Sequence, residues 1–106
     1  MQSLDHFSEV YFHRDPVDMR KSMNGLSSIV LEEMKMSFKP DSLFVFIGRC
    51  GRKLKIVYWD KSGFALWYKR LEKQKFFWPK HHEEEVVVSS LEQLRQLLFG
   101  FDVFQK

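Results

Sequence analysis

The chain has 106 residues, 44% of them hydrophobic, with 17 Lys and Arg against 14 Asp and Glu, eleven Phe, three Trp and three Tyr. That length holds one core and not two, no apolar run approaches the ~20 residues of a membrane-spanning helix, and the single Cys50 excludes an internal disulfide framework. The N-terminal stretch lacks the basic and apolar pattern of a secretory signal, so a reducing cytoplasm is the expected setting.

Residues 1–9 are polar and read as a loose N-terminus, leaving 10–106 as a single domain. Val10–His13 is a short strand. Asp15-Pro16-Val17-Asp18 then reads as a helix start: Asp15 caps, Pro16 suits the first helical position, and Asp18 sits three residues after the cap. Met19, Met23, Leu26, Val30 and Met34 recur at gaps of three and four, one face of a helix running to about Met36. Gly25 inside that helix costs roughly 1 kcal/mol against Ala, and close approach to a neighbouring backbone is the expected offset.

A three-strand meander follows, Leu43–Ile47, Lys53–Asp60 and Phe64–Leu71, with turns at Arg49-Cys50-Gly51 and Lys61-Ser62-Gly63. Three-residue loops with Gly last pair Gly48 with Arg52 and Asp60 with Phe64. In that register one sheet face collects Phe44, Phe46, Leu54, Ile56, Tyr58, Phe64, Leu66 and Tyr68. The other collects Lys53, Lys55, Val57, Trp59, Ala65, Trp67 and Lys69 beside Leu43, Val45 and Ile47. The separation of lysines from the aromatic face favours this register, because a slip moves side chains between faces. Phe76-Phe77-Trp78 before Pro79 is a further extended piece, and Val86–Val88 another strand. Ser89 or Ser90 caps a final helix, with Glu92 or Gln93 completing a capping box. Leu91, Leu94, Leu97 and Leu98 form its stripe, and Gly100 marks its stop. The fold class is α+β: a single domain, a largely antiparallel β-meander with one long helix packed on a face, and a C-terminal helix.

Charge is distributed unevenly. Arg49–Lys80 holds ten of the seventeen cations, two of the fourteen acids and all three Trp, so it carries +8 while the remainder carries −5. A basic stretch interleaved with aromatics suits a phosphate backbone and its bases. The candidate nucleic-acid contacts are Arg49, Arg52, Lys53, Lys55, Lys69, Arg70, Lys73 and Lys75. Trp59, Trp67 and Trp78 are the candidate aromatic contacts, for bases or for a protein partner. The structural alternative puts Trp59 and Trp67 under the C-terminal helix, with the lysine heads reaching past them to water. Arg20 and Lys21 join the list because cations near a helix N-terminus oppose its dipole; a salt bridge to Asp18 is the alternative. The tip Arg49, Arg52 and Lys53 is a basic hairpin for a groove, or a solvated turn. His81-His82-Glu83-Glu84-Glu85 reads as a solvated turn rather than a metal site, since adjacent side chains diverge. Cys50 between Arg49 and Arg52 has a lowered pKa but no orienting His. The acids Asp18, Asp60, Glu72 and Glu83–Glu85 supply no two-metal constellation, and no phosphate-cradling Gly loop is present. No cofactor, no metal and no catalytic residue is expected.

Two long runs carry a resemblance: Phe44-Val45-Phe46-Ile47-Gly48-Arg49-Cys50-Gly51-Arg52-Lys53-Leu54-Lys55, and Trp59-Asp60-Lys61-Ser62-Gly63-Phe64-Ala65-Leu66-Trp67-Tyr68-Lys69-Arg70-Leu71-Glu72-Lys73. Phe76-Phe77-Trp78-Pro79 closes the second, and Asp18-Met19-Arg20-Lys21 with Gly25-Leu26 precedes the first. Together, over about residues 10–100, the chain resembles the small TnpB-type accessory proteins of bacterial insertion sequence family sixty-six, unrelated to the RNA-guided nuclease that shares the TnpB name. Cys50 replaces a polar or basic residue of that pattern, Ser22 stands where a Gly often follows the Arg-Lys pair, and His81–Glu85 is not part of it. The resemblance implies a protein encoded beside a larger transposase that carries the acidic catalytic triad, assisting transposition without catalytic residues of its own. The implied partners are DNA, the transposase of the same element, or a second copy of the chain. The alternative function is a protein–protein adaptor or oligomerisation module with no direct DNA contact.

Overall fold

The computed structural model describes residues 7–104. Its elements are β1 (Glu9–His13), α1 (Met23–Ser28) continued by a π-helical turn (Ile29–Glu33), β2 (Ser42–Ile47), β3 (Lys53–Asp60), β4 (Gly63–Arg70), β5 (Val86–Ser89) and α2 (Leu91–Leu98). They build a five-stranded sheet in the order β4-β3-β2-β1-β5. Only β1 and β2 run parallel, joined across α1; the other neighbours are antiparallel. This is the α+β arrangement the patterning predicts.

β2 is buried on both faces, and that is why it reads as an unbroken apolar run. Val10, Phe12, Leu43, Val45, Leu54 and Ile56 project to one face and meet Leu94 and Leu97 of α2. Those two leucines are fully buried, worth roughly 1.5–3 kcal/mol each. Ser90 accepts from the Gln93 amide and the Gln93 side chain returns to the Ser90 amide, the predicted capping box. Phe44, Phe46 and Val57 project to the opposite face, against Leu26, Ile29, Val30 and Met34. Of the stretch 1–9 expected to be loose, 1–6 lie outside the described residues. Phe7 is buried and meets the Tyr58 ring edge-on at 5.3 Å.

The first helix begins later than its apolar spacing predicts. The Val17 amide donates to the Ile47 carbonyl at 2.8 Å, which extends β2 by a parallel bridge and holds residue 17 extended. Asp15, preceding Pro16, is disfavoured in helical geometry, and its carboxylate pairs with Arg14 instead of capping. The helix therefore starts at Met23, with Ser22 at the cap position and no side-chain capping bond. It ends through the π turn, where the Met34 amide reaches back to Ile29, and Lys35 takes φ 55°. The neighbour of Gly25 is the Lys21 side-chain stem, 3.2 Å from where a Cβ would sit, rather than a backbone.

The meander register is one residue off the predicted one. Ile47 faces Leu54 and Asp60 faces Gly63, so the loops have four residues (Arg49–Arg52) and two (Lys61–Ser62). Lys55 consequently lies opposite Tyr68, and Lys69 opposite Leu54, the mixing that the sequence argument rejects. That argument assumes an ammonium needs a water-facing side. Here each lysine extends its stem over an apolar face and ends on backbone carbonyls: Lys55 Nζ donates to Met19 and Lys21 at 2.7 and 3.0 Å, and Lys69 Nζ to Leu98 at 2.8 Å. Phe76–Trp78 forms no strand; it is tied to the β2–β3 loop by one bond, Phe76 amide to Gly51 carbonyl at 2.8 Å.

Candidate nucleic-acid interface

The β2–β3 loop closes one end of the sheet, and the segment after β4 folds back against it. Gly51 makes that fit possible. It takes φ +75°, gives its carbonyl to Phe76, and a Cβ there would meet the Lys75 stem at 3.3 Å. Phe76 turns inward and is buried. Trp78 also turns inward: its indole donates to the Arg14 carbonyl at 3.0 Å and its ring meets Phe12 edge-on at 5.3 Å. Pro79 is buried as well. Phe77, between them, is left 47% exposed. The Arg14 guanidinium pins the following chain through the carbonyls of His82 and Glu83.

Between the loop and this segment lies a groove of about 360 Å³. Pro16 and Ile47 contribute apolar surface, Phe77 and Trp78 aromatic surface, and Arg49, Lys75 and Lys80 positive charge. On the other side of the loop, Arg52, Lys53, Arg70 and Lys75, with the single acid Glu72, surround a hollow of about 610 Å³. Positive charge thus wraps the loop. Toward β1 and β5 the surface turns acidic, with Asp15, Asp18, Glu33 and Glu85 around a hollow that Arg49 borders.

The structure divides the predicted site residues. Arg49, Arg52, Lys53 and Lys75 make no salt bridge among the described residues and gather at the loop end; Lys73 is exposed and borders neither hollow. Lys21 is exposed, and its carbonyl accepts from Lys55. Lys55 and Lys69 end on backbone carbonyls; the latter ties the last residue of α2, where a cation also complements the helix dipole. Arg70 pairs with Glu72 at 2.9 Å. Arg20 pairs with Asp18 at 2.7 Å, the salt-bridge alternative; since it precedes the helix, the dipole argument does not apply to it. Arg20's hydrogen bonds, then its charge and that of Arg49, hold the Asp18 carboxyl far below the usual carboxylate range.

The three Trp are not brought together. Trp67 packs into the cluster under α2. Trp59 lies on the opposite face, six residues along β3 from Lys53 and roughly 20 Å from the loop. Its ring meets Phe64 edge-on and its indole donates to the Lys61 carbonyl at 3.2 Å. Only Trp78 borders the basic groove. Two residues there escaped the sequence reading: Phe77 and Lys80. The signal was the in-out-in phase of an extended Phe-Phe-Trp flanked by Lys75 and Lys80. Cys50 is exposed in the loop, and the Arg52 amide, then the charge of Lys53, pushes its thiol down.

Among the described residues no group of three or more His, Cys, Asp or Glu is placed to hold a metal ion. His81–Glu85 is an exposed turn, with the Glu84 amide donating to His82 Nδ1. No helix of the described residues is long and apolar enough to cross a membrane.

Comparison with known proteins adds the following. A family model described as "IS66 Orf2 like protein" matches residues 8–106. The chain is 38% identical over 85 residues to the uncharacterized protein y4hO of Sinorhizobium fredii (strain NBRC 101917 / NGR234), covering 80% of this chain and 73% of that one. It is 34% identical over 87 residues to the uncharacterized protein y4jC of the same organism, covering 82% and 74%. No solved structure matches it.

Proposed function

Since the chain belongs to the IS66 Orf2-like family, and so has an accessory role associated with transposition, we propose that it acts without catalysis of its own, binding DNA at the β2–β3 loop end of its sheet. One observation carries the reading: Arg49, Arg52, Lys53 and Lys75 cluster there with no salt bridge among the described residues, while Lys55 and Lys69 end on backbone carbonyls and Arg20 and Arg70 pair with Asp18 and Glu72. Unpaired cations on a rigid loop neutralise phosphates and release counterions, so affinity falls with salt by a slope of about 0.9 per phosphate contact. The chemistry of strand cleavage and joining belongs, in this reading, to the separate transposase of the same element.

The test is fluorescence anisotropy with labelled element-end DNA across a salt series. Arg49→Ala with Arg52→Ala lowers the salt slope by roughly two, if each cation meets one phosphate, and leaves thermal stability unchanged. An unchanged slope overturns the assignment of the loop.

A second reading has its own support. Phe99 and Phe101 are 81% and 64% exposed just beyond α2, more apolar surface than a solitary domain needs there. They suit docking on the transposase or on a second copy. Co-sedimentation with the transposase, repeated with Phe99→Ser and Phe101→Ser, separates this contact from the DNA contact.

A further inference from the structure

We propose that the groove beside the loop holds an unpaired nucleobase stacked on the Phe77 ring, so that this protein grips DNA where strands are open rather than where they are paired. The proposal rests on the DNA-binding reading above and adds strandedness to it.

Three observations lead here. First, the exposure of Phe77 is imposed by its neighbours. Phe76 and Pro79 are buried, Trp78 is anchored by its indole, and the Phe76 amide is tied to Gly51, so the ring cannot turn inward without breaking those contacts. A half-exposed ring on a fixed segment is a stacking platform rather than a flexible loop tip. Second, the cations are arranged around that ring. Arg49 approaches from the β2–β3 loop and Lys75 and Lys80 from its own segment, with apolar Pro16 and Ile47 completing the hollow. Phosphates on the rim and a flat apolar base inside match both kinds of surface. A duplex would satisfy only the cations, because its bases present edges in the grooves and keep their faces stacked on one another. Third, the two other tryptophans of the basic stretch lie away from this groove: Trp67 packs under α2 and Trp59 lies at the far end of β3.

The experiment compares three fluorescein-labelled probes of equal length: a single strand, the same strand with abasic positions, and its duplex. The full-length protein is titrated at several salt concentrations from low to moderate, as wild type and as Phe77→Leu. Leucine keeps the side chain apolar and exposed, and a thermal melt confirms that the variant is folded. The expected result is tighter binding of the base-bearing single strand than of either other probe. Phe77→Leu then loses roughly 5- to 150-fold in affinity for that strand alone, the range of one stacked base, with the salt slope unchanged. Equal binding of all three probes, or indifference of the single strand to Phe77→Leu, overturns the stacking proposal and leaves the phosphate contacts standing. Absence of binding to every probe even at low salt overturns the DNA-binding reading, and this proposal with it.

Discussion

Lys55 gives the sharpest separation between what charge patterning suggests and what the geometry requires. Its ammonium donates to the carbonyls of Met19 and Lys21, joining the irregular stretch between Val17 and α1 to the centre of β3. It also lies 5.9 Å from the centre of the Tyr68 ring. Lys55→Met keeps most of the aliphatic stem and removes the charge. The Lys21 carbonyl sits near solvent and rehydrates, while the partly buried Met19 carbonyl loses a charged donor. Counting one charge-assisted bond gives a loss of about 2 kcal/mol. For a domain of this size that lowers Tm by roughly 8–16 °C. Circular-dichroism melts measure it, and anisotropy at several salt concentrations measures the DNA contact in parallel. The expected outcome is a lower Tm with an unchanged salt slope. An unchanged Tm with the slope reduced by about one would make Lys55 a phosphate ligand and refute the carbonyl-tether argument.

Three further outcomes are expected. Gly51→Ala forces a Cβ into a left-handed conformation against the Lys75 stem and costs about 1–2 kcal/mol, read as a lower urea midpoint; a midpoint within error of wild type would show the loop free to relax. Lys61 takes φ 54° at the centre of a turn in which the Ser62 amide reaches back to Asp60, a strained arrangement for a residue with a side chain, so Lys61→Gly raises Tm by a few degrees, net of the added freedom of the unfolded chain; a fall in Tm would refute the strain. Tyr11 donates to the Glu9 carboxylate at 2.6 Å, and that bond foremost pushes its pKa to about 12. Folding therefore favours the protonated phenol: its contribution is intact below the unfolded value near 10 and is lost as pH rises toward 12. Urea midpoints of wild type and Tyr11→Phe should converge across that window, and a constant gap would show the bond contributes nothing.

What was legible in the sequence was local. Ser90 and Gln93 announce the α2 cap because the capping box is closed within one turn. Gly100 announces its end, and takes φ +99°. The basic loop is legible because Gly51 and its charged neighbours are contiguous. The rest depends on partners far along the chain. The acceptors of Lys55 and Lys69 lie 36 and 29 residues away, so nothing nearby indicates that these lysines are engaged. The start of α1 is displaced by Ile47, whose carbonyl claims the Val17 amide. The register is off by one because the patterning argument keeps lysines and aromatics on separate faces, whereas Lys55 pairs with Tyr68 and Lys69 with Leu54. Phe77 is not among the predicted contacts because its exposure follows from the inward turn of Phe76 and Trp78, decided by Gly51 and Arg14.

The position of β1 has a consequence for biosynthesis. It is an interior strand whose outer neighbour, β5, is made after the other four strands of the sheet: Val10 lies beside Ser89 and His13 beside Val86. A nascent chain can pair β1, β2, β3 and β4 while β5 and α2 are still in the ribosome. At that stage β1 is an open edge, and the apolar face of Val10, Phe12, Val45 and Ile56 has no helix over it. Both are templates for aggregation. A message cut short between β4 and β5 would therefore yield a sticky product for proteases to remove, rather than a weakened protein.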